Sequence, residues 1–143
     1  MKAAANIEVR YAETDQMGIV HHSNYLVWCE LARTKLINEL GFNYKELEEQ
    51  GILSPVTNVN LDYKAPSTYG DVITAETWIE AYDGLRVTYG YNIINQKGIL
   101  CVKGTTTHVC IRKNTFRPIS IKKHLPDWHE KYERVKKQVK ENV

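Results

Sequence analysis

The segment SNYLVWCELARTKLINEL, residues 23–40, decides the fold. Ser23 and Asn24 are good N-cap residues, because a short side-chain oxygen accepts from the free N–H groups of a first helical turn. Gly41 is a good stop, because it enters the left-handed region without a Cβ clash. The stretch between them is predicted to be a helix. Its first turns, Tyr25 to Cys29, are apolar on every side, and Leu31, Ala32, Leu36 and Leu40 follow at helical spacing. A helix without a polar face is normally buried rather than laid on a surface. The expectation is a helix that runs through the middle of the molecule.

What wraps such a helix must come from the flanks. Ile7 to Tyr11 reads as a short first strand, and Tyr44 to Gln50 as a short polar helix ending at Gly51. Everything from Leu53 to Arg112 reads as strand. Val59 to Tyr63 alternates cleanly, and Pro66 and Gly70-Asp71 mark a turn. Val72 to Tyr82 leads into Asp83-Gly84, a strong hairpin signal, and then into Leu85 to Ile94. Asn95 to Gly98 turns the chain again into a long run, Ile99 to Arg112. Segregated helix and sheet make an α+β fold, a single domain over residues 1–143 with a charged helical tail from about residue 122. A single antiparallel sheet curled around the helix satisfies the burial pattern. Its outer face is expected to carry Trp78, Tyr89 and Tyr91, and a partner subunit is expected to cover that face and the free edges. The charge run at the C-terminus reads as a solvated helix face.

Composition narrows the functions. Nineteen basic against seventeen acidic side chains leave a net charge of +2, with 43% hydrophobic and 25% charged residues. That balance gives no support to nucleic-acid binding, which draws on a basic stripe. No run approaches the roughly 18 apolar residues of a membrane span, and the opening MKAAANIEVR does not read as a signal peptide. Cys29, Cys101 and Cys110 fit neither a disulfide framework nor a zinc site, so a reduced, cytoplasmic location is the default expectation. No spacing of ligating residues calls for a metal, and no glycine-rich loop for a nucleotide.

The chemistry concentrates in YAETDQMGIVHHSNY, residues 11–25. Asp15 sits in a glycine-containing loop just ahead of the helix, whose first N–H groups are unpaired and form a ready oxyanion site. The seven-residue offset from Asp15 to His22 lets the loop fold back, with Gly18 permitting the reversal. Carboxylate and helix N-terminus then face each other across one cleft. Ser23 beside His22, with Asp15 upstream, has the residue types of a hydrolase triad, but adjacent residues rarely place a hydroxyl on the neighbouring imidazole, and no GxSxG elbow exists. Cys29 lies among apolar helix residues, where a thiol behaves as a small hydrophobe. Asn24 and Tyr25 read as structural, and His108 as a strand residue.

The same fifteen residues resemble the signature of the hotdog-fold acyl-CoA thioesterases of the 4-hydroxybenzoyl-CoA thioesterase family. The resemblance extends through Asp62 to Pro66, Tyr69 to Asp71 and Gly104 to His108. Within that family it is nearest to the short bacterial enzymes related to the Tol-Pal-associated thioesterase. It implies a curved sheet around a central helix, no cofactor and no metal. It also implies a homo-oligomer, a dimer or tetramer, with the active site between subunits. Asp15 is implied as general base or nucleophile, and a backbone N–H near His22 as the group that polarises the carbonyl. Lys64, Arg86, Arg112 and Lys113 are the candidates for the phosphates of coenzyme A. The expected function is hydrolysis of an acyl-CoA to free acid and coenzyme A. The alternatives are an acyl-carrier-protein thioesterase or a non-catalytic acyl-CoA or carrier-protein binding module. A dehydratase on the same fold would use histidine as its base, against the Asp-x-x-Gly pattern.

Overall fold

The computed structural model describes residues 1–137. Along the chain come β1 (Ala3–Glu8), α1 (Asn24–Glu39), α2 (Tyr44–Glu49), β2 (Ile52–Leu53), β3 (Val56–Tyr63), β4 (Val72–Tyr82), β5 (Arg86–Ile94), β6 (Leu100–Val109), β7 (Ile111–Arg112), α3 (Ile121–His124) and α4 (Pro126–Val135). The turn chemistry is the one the sequence carries. At Asp83-Gly84 the aspartate Oδ1 accepts from the Leu85 and Arg86 N–H groups while Gly84 takes φ of +92°. Gly41, at φ of +90°, stops α1.

Five strands form one antiparallel sheet in the order β1-β4-β5-β6-β3. The β4–β5 and β5–β6 pairs are local hairpins. β3 instead bypasses β4 and pairs with β6 across the sheet, which leaves it at an edge. It approaches closely at Gly104, where a Cβ would strike the Asn60 carbonyl and the Leu61 backbone, so only glycine fits. β2 and β7 pair as a small separate ribbon.

Alternation along β4 and β5 sends Ile73, Ala75, Thr77 and Ile79, and Val87, Tyr89, Tyr91 and Ile93, inward. They meet Tyr25, Trp28, Cys29, Ala32, Leu36 and Ile37 of α1 in one core. Each large side chain fully buried there contributes roughly 1.5–3 kcal/mol. The helix therefore does lie against the concave face of the sheet. It is not enclosed on all sides, however. Leu26, Val27 and Leu31 are 38%, 46% and 49% exposed, because one chain's sheet covers only one side of a helix.

Three other expectations need correction. Tyr89 and Tyr91 are not on the outer face. They pair with Ile79 and Thr77 and share their inward side, and only Trp78, packed over Gly90, points outward. A strand's period of two places neighbours on opposite faces, and the register with β4 decides which. The first strand begins at Ala3 rather than Ile7 and ends at Glu8; pairing of Ala3 with Thr77 through Glu8 with Val72 overrides the low strand propensity of three alanines. Tyr11–Glu13 form a 3₁₀ turn instead. The C-terminal charge run is more than a solvated face. Pro126 starts α4, which buries Trp128 and Tyr132; the Trp128 ring stacks on Phe42 at 4.5 Å. The part of the tail at residues 138–143 lies outside the described residues.

Candidate active site

The loop before α1 is a small built device. Thr14 and Val20 form an antiparallel bridge, and the chain reverses between them. The Asp15 N–H donates to the Ile19 carbonyl at 2.9 Å and the Gly18 N–H to the Asp15 carbonyl at 3.0 Å, with Gly18 at φ of +79°. The Met17 N–H donates to Asp15 Oδ1 at 2.8 Å. An aspartate at the first position of such a turn commonly accepts from the backbone two residues on. Oδ2 of Asp15 has no hydrogen-bond partner among the described residues.

Glu13 fastens this device to the core, a role that reading the sequence missed. Its carboxylate is buried, with Oε1 accepting from the Arg10 N–H at 2.9 Å and Oε2 from the Trp28 indole at 2.8 Å. Its carbonyl accepts from the His21 N–H at 2.9 Å and from the Asn24 side chain at 2.8 Å. Burial opposes the charge of Glu13, but the Arg10 N–H, the Trp28 indole and the Arg10 guanidinium together hold its carboxyl below the usual glutamate range. The signal was present, since Trp28 brings an indole N–H into an apolar helix and needs an acceptor there.

At the helix start, the expected cap is displaced. Ser23 occupies the N-cap position, yet its side chain caps nothing. Its N–H donates to His21 Nδ1 at 3.3 Å, so that nitrogen is an acceptor and takes the Ser23 hydroxyl too, at 2.8 Å. Ser23 is thus bonded to His21 rather than His22. The exposed His22 ring lies 4.3 Å from the His21 ring and edge-on to Tyr63. The His22 carbonyl accepts from the Tyr63 hydroxyl at 3.4 Å, while its N–H has no acceptor among the described residues.

Asp15, His22 and Lys64 share one cleft of 380 Å³, with apolar walls from Met17, Ile19, Val20 and Pro66. The other basic candidates lie elsewhere. Arg86 starts β5 opposite Val109 and stands 3.9 Å from Asp83, and Arg112 and Lys113 border a separate cleft with Gln50 and Asn114. All three are at the end of the sheet where β3 begins, whereas Lys64 follows the end of β3. A larger groove of 600 Å³ on the outer face around Trp78 contains neither Asp15 nor a histidine. Burial raises the Cys29 and Cys110 thiols, to about 12 and about 11, so neither is a thiolate at neutral pH. Among the described residues no cluster of three or more ligating side chains could hold a metal ion, and no helix is long and apolar enough to cross a membrane.

Comparison with known proteins agrees with this arrangement. YneP of Bacillus subtilis, itself named as a candidate acyl-CoA thioesterase, is 54% identical over 92% of this chain and 95% of its own. The crystal structure of a DHNA-CoA thioesterase from Staphylococcus aureus superposes with a TM-score of 0.91 at 46% identity, covering 93% of this chain and 89% of that one. A Thermus thermophilus protein of unassigned function superposes at 0.84 with 31% identity, over 98% of this chain and all of that one. The sheet curled against one helix is the hotdog fold that these two structures share. The family model of the thioesterase-like superfamily matches residues 9–129. With the Asp15 loop, α1 and strands β2 to β7 all inside that match, the chain belongs to the thioesterase-like superfamily.

Proposed function

We propose that this protein hydrolyses an acyl-CoA thioester to the free acid and coenzyme A, with Asp15 as its reacting carboxylate and a second copy of the chain completing the site. The observation that carries this reading is that Asp15 and His22 line one cleft, and that among the described residues neither Asp15 Oδ2 nor the His22 N–H has a hydrogen-bond partner. An ionised carboxylate takes a proton from water, or attacks the thioester carbon directly; either route places negative charge on the carbonyl oxygen. A fixed backbone N–H stabilises that oxyanion without having to reorganise. The bond to sulfur then breaks and coenzyme A leaves as a thiol, taking the proton that Asp15 removed from water on the first route and a proton from water on the second, where a water then hydrolyses the acyl anhydride on Asp15 and frees the acid. The relatives' names, which speak of acyl-CoA and DHNA-CoA, support the thioester as substrate.

The second copy is supported by what one chain leaves bare. β3 is an eight-residue strand at the sheet edge with Val56, Val59 and Tyr63 exposed, and α1 exposes Leu26, Val27 and Leu31. A long apolar edge strand is normally paired. The polar outer face, with Glu76, Glu80, Asn92 and Lys103 around Trp78, gives less reason for a partner there than the edge does. Lys64 receives a phosphate of coenzyme A from the chain that supplies Asp15, and Arg86, Arg112 and Lys113 approach from the other end of the partner's sheet. Three unpaired cysteines fit a reducing cytoplasm.

Thiol release across a panel of acyl-CoA and carrier-protein thioesters tests the reading. Asp15→Asn keeps the shape but removes the charge, and turnover is expected to fall at least about 100-fold while binding survives. His22→Ala retains the N–H and is expected to cost less. Near-normal turnover by Asp15→Asn would sink the assignment and favour a binding module.

A further inference from the structure

Among the described residues, every hydrogen bond between residues 11–20 and α1 is made by one residue, Glu13. Its carbonyl accepts from the Asn24 side chain at 2.8 Å, and its Oε2 from the Trp28 indole at 2.8 Å. Asn24 and Trp28 are four residues apart, so they stand on one face of the helix about 5–6 Å from each other. A single attachment would let the loop pivot. Two attachments one helical turn apart fix its angle to the helix as well as its distance. The same carbonyl takes the His21 N–H at 2.9 Å, which ties the residue before His22 to the same anchor.

The rest of the loop is fastened to itself or to the neighbouring loop. The Thr14–Val20 bridge and the Asp15 N–H on the Ile19 carbonyl give it its shape, and the Val20 N–H reaches the Ser67 carbonyl at 2.9 Å. None of these bonds reaches α1, and Ser23 offers no side-chain cap at the helix start. Asp15 comes two residues after Glu13, inside the shape so fixed, and His22 follows directly on the bonded His21. The separation between the Asp15 carboxylate and the His22 N–H is therefore inherited from Glu13.

The anchor needs a carboxylate. Two N–H groups meet it, that of Arg10 on Oε1 at 2.9 Å and the Trp28 indole on Oε2. An ionised carboxylate accepts on both oxygens, whereas an amide accepts at one end and donates at the other. Glu13 is 3% exposed, where a charge is costly without such partners, and the Arg10 guanidinium stands 3.4 Å away as its counter-charge. Glu13 is not among the walls of the Asp15 cleft, so any effect it has on the reaction runs through its neighbours.

Resting on the thioesterase reading above, we propose that Glu13 is a positioning residue for the reaction, whose ionised carboxylate on Trp28 and whose carbonyl on Asn24 and the His21 N–H together hold Asp15 at working distance from the His22 N–H. A loop that tilts about this anchor keeps its own turn and its substrate contacts but separates the two groups that must act on one thioester.

The test measures kcat and KM for thiol release, on the best acyl-CoA of the panel, for wild type, Glu13→Gln, Trp28→Phe and Asn24→Ala. In each variant kcat is expected to fall about 10-fold or more, since a misplacement of about 1 Å can cost on the order of 100-fold. KM is expected to stay within about threefold, because the lost interaction belongs to the transition state. Asn24→Ala, at a half-buried position, covers the case in which the other two do not fold. The double variant Glu13→Gln, Trp28→Phe is expected to lose no more than Glu13→Gln alone, because without the indole the amide no longer meets a donor. Tyr132→Phe removes a buried hydroxyl contact with Tyr89 and controls for lost stability, with kcat unchanged. A kcat within about twofold of wild type in every folded variant of Glu13, Trp28 and Asn24 overturns the proposal, and so does an equal loss in Tyr132→Phe. Failure of wild type to release thiol overturns instead the thioesterase reading beneath it, and amide exchange followed by NMR then decides the proposal without substrate. The Asp15, Gly18 and His21 N–H groups are expected to exchange about 10-fold faster or more in Glu13→Gln while those of β4 do not. Unchanged exchange at all three overturns it.

Discussion

Acidification is expected to destabilise the fold through His108, and the size of the effect follows from the burial of that residue. The ring is 2% exposed and, with Nδ1 donating to the Ser54 carbonyl, accepts from Thr106 through Nε2, so protonation removes an acceptor and places a charge near Arg33. Its pKa is about 4 in the folded protein against 6.5 for the free side chain. The stability that the neutral ring contributes is complete above about pH 6.5. It declines as pH falls, because the unfolded chain takes up the proton first, and levels off near pH 4, where the folded chain takes it up too. Each pKa unit is worth 1.36 kcal/mol, so the whole difference is about 3 kcal/mol, of which about 2 kcal/mol is lost between pH 7.5 and 5.0. Urea unfolding at steps across that interval measures it. His108→Gln removes the titration while the other groups remain, so the difference between the two curves isolates this ring. Parallel curves for wild type and His108→Gln would refute the neutral, buried His108.

Two further outcomes are expected. Lys64→Ala should raise KM more than it lowers kcat, with wild-type KM rising as salt screens the phosphate contact; an unchanged KM would remove Lys64 from the coenzyme A site. Val59→Lys puts a charge from each copy into a paired β3 edge and should yield a folded monomer by sedimentation with thiol release lost, whereas a persistent active dimer would move the interface elsewhere.

Much of this architecture was legible along the chain. The stop of α1 at Gly41, the Asp83-Gly84 turn and the reversal at Gly18 are local matters, set by glycine's access to positive φ and by aspartate bonding its own backbone. The motif from Tyr11 to Tyr25 pointed to Asp15 and the His22 N–H for the same reason, since loop and helix start are neighbours in sequence. Lys64 could be gathered in because it follows a strand in the same end of the fold, but its company with Asp15, apart from Arg86, Arg112 and Lys113, depends on how β3 is placed.

What the sequence determined by itself was the set of elements and the turn of the loop ahead of α1, because propensity, turn chemistry and hydrophobic period act over a few residues. Tertiary structure decided the rest. Tyr89 and Tyr91 face inward because register with β4 selects the side, and a period of two is equally regular either way up. Glu13 and Trp28 are fifteen residues apart yet hydrogen-bonded, and Arg33, Tyr91, Thr106 and His108 come from three separate elements. Such partnerships exist only when the chain is closed, since a buried donor must find its acceptor wherever the packing of helix on sheet brings one. The exposed edge of β3 is a consequence of the same kind: the strand crosses to β6 instead of pairing with its neighbour in sequence, and that crossing leaves its far side without a partner among the described residues.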